Sequence, residues 1–124
     1  MFIQATKMKG KGLAIFADLP NLKKLRLFGN SSDDDMKEFR CTKNLVGLDL
    51  AEVERLTDAS LKSLKKLDSL ASIGLAGTQI SIDGVDDLIS MKNLRAVDVR
   101  NTPLAQSKAG MKALLAGLSA NQKK

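Results

Sequence analysis

The chain has 124 residues, of which 44% are hydrophobic by type but only 3% aromatic, and a formal charge of +6 from 20 basic and 14 acidic side chains. One cysteine excludes an internal disulfide framework and suits a reducing compartment. With no histidine anywhere, the commonest general base, the commonest zinc ligand and Ser-His or Cys-His nucleophile pairs are all missing.

In chain order, the first predicted strand is MFIQAT, Met1 to Thr6. Matched onto VDVRNT, Val97 to Thr102, it pairs Phe2 with Asp98 and Gln4 with Arg100. The stretch Lys9-Gly10-Lys11-Gly12 has no Ser or Thr after a Gly-Lys pair and reads as a connecting loop, not a phosphate loop. Strands are then predicted near Leu22–Leu27 (LKKLRL), Leu45–Leu50 (LVGLDL), Leu70–Leu75 (LASIGL) and Leu94–Val99 (LRAVDV). The starts lie 23, 25 and 24 residues apart, the signature of a stacked repeat.

The connecting segments repeat as well. Nine, six and three residues before each leading leucine stand Leu13, Phe16 and Leu19; Met36, Phe39 and Thr42; Leu61, Leu64 and Leu67; Val85, Leu88 and Met91. That spacing keeps one face of a short helix apolar. Each unit is a strand, a turn and one or two turns of helix. Its buried aliphatic groups contribute on the order of 1.5–3 kcal/mol each. Ordering the backbone costs roughly 1–2 kcal/mol per residue, so a single unit cannot remain folded and must stack on neighbours. Three residues past each strand stand Asn30, Val53, Thr78 and Thr102. Asn and Thr are expected to turn inward and hydrogen-bond backbone of the adjacent turn, and Val53 interrupts the series.

Ser31-Ser32-Asp33-Asp34-Asp35 lacks the alternation and distal Glu of a calcium loop and reads as a helix cap with acids in the first turn. Asp58 in LTDAS and Asp83 in SIDG are expected at matching turn positions as further caps. Cys41 shares a mostly polar column with Asp18, Lys66 and Ser90 and has no His to activate it. A longer helix near 106–120, with Met111, Leu114, Leu115 and Leu118 on one face, is expected to cap the array. The opening inside a strand is read as the mark of a domain cut from a longer array, the alternative being a small protein that begins on a bare edge.

The pattern L-x-x-L-x-L-x-x-N/C/T resembles the leucine-rich repeat family in its short-helix form. LTDASLKSLKKLDSLASIGLAGTQIS and GTQISIDGVDDLISMKNLRAVDVRNT are especially similar to bacterial repeats of the type LTDAGLKHL. The resemblance spans nearly the whole chain. It implies a single α/β domain, 1–124: a right-handed horseshoe segment of solenoid, with about five short parallel strands on its concave side and helices on its convex side. It also implies a protein–protein interaction module or scaffold, and the absence of cysteine-rich caps favours the cytoplasm over the extracellular space. No apolar run has the length of a membrane span.

In such an array the strand residues that point away from the core form the binding face. One column reads Phe2, Arg26, Asp49, Gly74, Asp98; the next reads Gln4, Phe28, Ala51, Ala76, Arg100; and Lys24, Gly47, Ser72, Ala96 lie on the other side. Small central residues would let a partner's backbone or helix approach closely. Arg26 and Phe28 resemble the Arg and aromatic anchors of interfaces.

No catalytic, cofactor-binding or metal-binding residue is expected. Asp49 and Asp98 are two units apart, so the chain is not expected to be an enzyme. Two other readings compete. The N-terminal edge strand could pair with another copy to form a homo-oligomer or array. The basic ends could also bind nucleic acid or an anionic surface through Lys7, Lys9, Lys11, Lys23 and Lys24. Residues 1–26 carry six basic and one acidic group and residues 91–124 seven and one. Residues 27–58 between them carry four basic and eight acidic groups, which breaks any continuous basic stripe.

Overall fold

Five strands run parallel in one sheet in chain order: β1 (Phe2–Thr6), β2 (Lys24–Phe28), β3 (Gly47–Asp49), β4 (Ser72–Gly74) and β5 (Ala96–Asp98). The structure is a computed structural model that describes residues 2–6, 16–28, 32–37, 39 and 44–122, with backbone alone for 2–6, 28, 121 and 122. Short helices α1 (Asp33–Lys37), α2 (Asp58–Leu64) and α3 (Val85–Ile89) follow β2, β3 and β4, and α4 (Lys108–Gln122) follows β5. The protein is thus α/β, with an open parallel sheet. No helix among the described residues is long and apolar enough to cross a membrane.

The strands are shorter than the leucine pattern because each leading leucine precedes its strand. Leu22, Leu45, Leu70 and Leu94 are fully buried in the turns that enter β2 to β5. Inside the strands, Leu25, Leu48 and Ile73 share one register, and Leu27, Leu50, Leu75 and Val99 continue it beyond. Phe16, Met36, Phe39, Leu61, Leu64, Val85 and Leu88 from the connecting segments join them in one apolar cluster. The segments that follow the strands therefore cover one sheet face and, among the described residues, leave the other bare. Leu13 and Thr42 of the predicted columns lie outside the described residues.

The register of β1 differs from the sequence match. Phe2 pairs with Lys24 and Gln4 with Arg26, so Gln4, not Phe2, shares the row of Asp49, Gly74 and Asp98. The slide is two residues. Because alternation has period two, such a slide preserves which residues share a face, and hydropathy alone cannot detect it.

Thr78 and Thr102 are buried as expected, but each hydroxyl donates to a carbonyl within its own unit, Leu75 at 2.6 Å and Val99 at 2.6 Å. The adjacent turn is not involved. Val53 is fully buried and keeps the same backbone turn, its N–H donating to Leu50 at 3.2 Å. Asn30 lies outside the described residues, as do Ser31, Cys41 and the stretch 9–12, expected above to be a connecting loop.

Side chains tie each unit to the next. The Asp33 carboxylate accepts from Thr57 N–H at 2.9 Å, from the Thr57 hydroxyl at 2.5 Å and from the Ser60 hydroxyl. Asp58 repeats the arrangement one unit on, accepting from Ser81 N–H at 2.9 Å and from the Ser81 hydroxyl. The caps of the segments themselves are Thr57 and Ser81, whose hydroxyls accept from Ala59 and Asp83 N–H. Asp58 and Asp83 therefore do not match: the counterpart of Asp58 is Ile82, exposed beside Gly110 of α4. Gly84 takes the place of Ser60, where an added Cβ would lie 2.5 Å from Asp58 Oδ1. The acidic run divides its work. Ser32 and Asp35 form a reciprocal capping box, Asp34 pairs with Lys37 at 3.2 Å on the surface, and Asp33 reaches the next unit.

On α4, Leu114 and Leu118 are buried and Met111 is half-buried, yet Leu115 is 59% exposed. At 3.6 residues per turn Leu115 falls about 100° around the helix from Leu114, outside the covered stripe. Gly117 lets the helix approach Ile89 where no Cβ would fit. The helix packs against α3 and the 3-10 turn Leu104–Gln106.

Burial is the largest single influence on Asp33 and works against its charge, but the hydrogen bonds from Ser60 and Thr57 together outweigh it and hold its pKa below the ordinary 3.8. A carboxylate with a lowered folded pKa adds stability that is present above the ordinary value and disappears as pH falls through the folded one. Asp33→Asn is expected to cost about 1–3 kcal/mol at pH 7, since it leaves the buried Ser60 hydroxyl poorly matched. Urea unfolding across pH should show the wild-type and variant stabilities converging in acid; a constant gap down to pH 2 would contradict this account.

Candidate functional site

The bare sheet face forms an open hollow of about 600 Å³. Strand alternation decides what lines it. Residues next to the buried Leu25, Leu48 and Ile73 point the other way, so Lys24 and Arg26, Gly47 and Asp49, Ser72 and Gly74, Ala96 and Asp98 face the hollow in register. Beyond the strand ends Ala51, Glu52, Ala76 and Arg100 complete the wall.

The structure brings together Lys24, Arg26, Asp49, Ala51, Gly74, Ala76, Asp98 and Arg100 of the predicted residues. Ala76 is the least available of them, at 7% exposure. Phe2, Gln4 and Phe28 stand in β1 and β2, but their side chains lie outside the described residues. Glu52 was not foreseen. It has φ 67°, Gly77 has φ 77° and Asn101 has φ 60°, one left-handed residue at the same point of three successive units. Gly and Asn favour that conformation, which was a legible signal, whereas Glu52 disguises it.

Two ion pairs stand on this face. Arg26 Nε lies 3.4 Å from Asp49 Oδ2 across adjacent strands, and both side chains are partly exposed. Arg100 grips Asp98 with two nitrogens, Nε to Oδ1 at 3.0 Å and Nη2 to Oδ2 at 2.8 Å, while its own N–H donates to Oδ1 at 3.1 Å. Asp49 makes the same local turn, accepting from Ala51 N–H at 2.9 Å. The side-chain hydrogen bond from Arg100 holds the Asp98 carboxyl below the usual carboxylate range, and Asp98 in turn raises the guanidinium above its usual value. A carboxylate so held is a poor proton acceptor.

Between these pairs the floor is flat. Gly74 separates Asp49 from Asp98, two strand spacings or about 10 Å apart. A Cβ on Gly74 would lie 2.5 Å from Asp49 Oδ1, so the glycine is what allows Asp49 its bond to Ala51. Among the described residues no three metal-ligating acidic or thiol side chains come together. Compared with known proteins, the sequence matches no family model and no curated relative.

Gly74→Ala is expected to swing Asp49 aside, breaking its bond to Ala51 and its pair with Arg26, at a cost of about 0.5–1.5 kcal/mol. Asp49→Ala removes the obstruction beforehand. Chemical denaturation of the two single variants and the double should therefore show clear non-additivity, and simple additivity would refute the steric account.

Proposed function

We propose that the chain is a leucine-rich-repeat solenoid segment, non-enzymatic and without cofactor, whose bare sheet face is a concave protein-binding surface. The observation that carries this reading is the open hollow of about 600 Å³ over β2 to β5, floored by Gly47, Ser72, Gly74 and Ala96 and flanked by the two ion pairs. A small-residue floor admits a partner's backbone or helix to close range. Exposed but internally paired charges give that partner polar anchors without presenting one dominant sign, as protein interfaces require more than nucleic-acid ones do.

The equivalent aliphatic rows support the repeat reading: strands β2 to β5 contribute the same columns, and Asp33 and Asp58 bond the following unit through the same positions. The chemistry favours recognition over catalysis. Its strand carboxylates, Asp49 and Asp98, are engaged by arginines, and the sequence offers no imidazole to accept a proton.

Ala96→Arg tests the reading, because Ala96 is exposed on the floor of the hollow and a long side chain there fills it without entering the core. A cellular protein captured by the wild type and identified by mass spectrometry should be retained at least about tenfold less well by Ala96→Arg and by Arg26→Glu. Lys66→Glu, on the helical side, should leave capture unchanged. Equal capture by all of them would remove the open face as the binding surface.

A further inference from the structure

The sheet has a regular way of handing each strand to the next. The carbonyl of Lys23 accepts from Val46 and Gly47, that of Val46 from Ala71 and Ser72, and that of Ala71 from Arg95 and Ala96. At the far end of the strands Leu50 N–H donates to Gly74 and Leu75 N–H to Asp98. The left-handed turn residues do the same, Glu52 N–H to Ala76 at 2.6 Å and Gly77 N–H to Arg100 at 2.9 Å. The next members of these series are the Arg95 carbonyl, Val99 N–H and Asn101 N–H. Among the described residues none of the three has a backbone partner. Alternation turns the Val97 N–H and C=O the same way.

The outer edge of β5 is therefore a row of donors and acceptors already held in the geometry that the four preceding strand pairs use. The terminal helix does not take them up, since α4 packs against α3 and its preceding turn. Val97 also remains partly open where its counterparts Leu48 and Ile73 are 2% exposed. Lys92 and Arg95 stand exposed just before β5, and no acidic side chain lies between Met91 and Val97.

We propose that the free edge of β5 takes up an extended acidic segment of a partner protein as a sixth, parallel strand. Main-chain bonds to Arg95, Val97, Val99 and Asn101 supply the affinity, as in other strand additions, and the exposed Lys92 and Arg95 select acidic sequences. A second copy is a poorer occupant. Its β1 belongs to the stretch 1–26, which carries six basic groups and one acidic, and would be repelled by Lys92 and Arg95. This inference does not depend on the open face, because it uses backbone groups at the sheet edge.

The probe is a short labelled peptide of alternating Glu and Val, titrated into the whole chain by fluorescence anisotropy. It should bind, with at least about tenfold loss when Lys replaces Glu or when alternate backbone nitrogens are methylated. Lys92→Glu with Arg95→Glu should reverse the preference between the Glu and Lys peptides; both side chains are exposed, and an unchanged circular dichroism spectrum verifies the fold. Amide exchange by NMR should show Val99 and Asn101 N–H protected only when the peptide is bound. No binding, binding insensitive to N-methylation, or shifts confined to the open face or to α4 would overturn the proposal. So would light scattering that shows chained copies with those amides protected in the absence of peptide.

Discussion

A parallel strand cannot satisfy its own backbone, and the ladder between neighbouring strands sets the spacing that everything else in this protein obeys. With strands about 4.8 Å apart, a leucine at one strand position meets the equivalent leucine of the next unit. Four units therefore build continuous rows out of side chains that no single unit could bury. The same spacing lets the Asp33 carboxylate touch Thr57 and Ser60, and Asp58 touch Ser81. The ladder also forces side chains on the opposite face into rows, which is how Arg26 meets Asp49.

Much of this was legible because stacking makes periodicity obligatory. A column of leucines at near-constant spacing has no other economical explanation, and the buried Leu48, Leu61, Ile73 and Leu88 fall where the spacing places them. What escaped was whatever the period does not constrain. The placement of β1 slid by two residues because alternation is blind to an even shift. Asp58 and Asp83 looked equivalent in their short motifs, yet the frame set by Leu56 and Ile80 gives Asp58 the counterpart Ile82. Leu115 joins the apolar stripe by residue type yet stands exposed, because apolarity alone cannot say how wide the covered stripe is.

One bonding pattern carried a sequence signal that strand-and-core reasoning passes over. Asn21, Asn44, Ser69 and Asn93 each precede a leading leucine. The Asn44 side chain donates to Pro20 at 3.0 Å, Ser69 to Leu45 at 2.5 Å and Asn93 to Asp68 at 2.7 Å. A short polar residue beside an invariant apolar one is easily dismissed as solvent-facing. Here it closes the turn onto the unit before. For the open face, the residues could be named in advance from alternation, but their pairing could not. The grip of Arg100 on Asp98 depends on a local turn, and the freedom of Asp49 depends on the missing side chain of Gly74.

The bonds from one unit to the next reach across nearly equal lengths of chain, 24 residues from Asp33 to Thr57 and 23 from Asp58 to Ser81. Length in this fold is consequently counted in whole units. The strand rows and the left-handed turns of Glu52, Gly77 and Asn101 recur at that interval. Units of 23, 25 and 24 residues keep the same strand register, so a difference of one or two residues is absorbed between strands. The place where a change of length falls therefore matters more than its size: between strands it is absorbed, within a strand it shifts the register of every bond that follows.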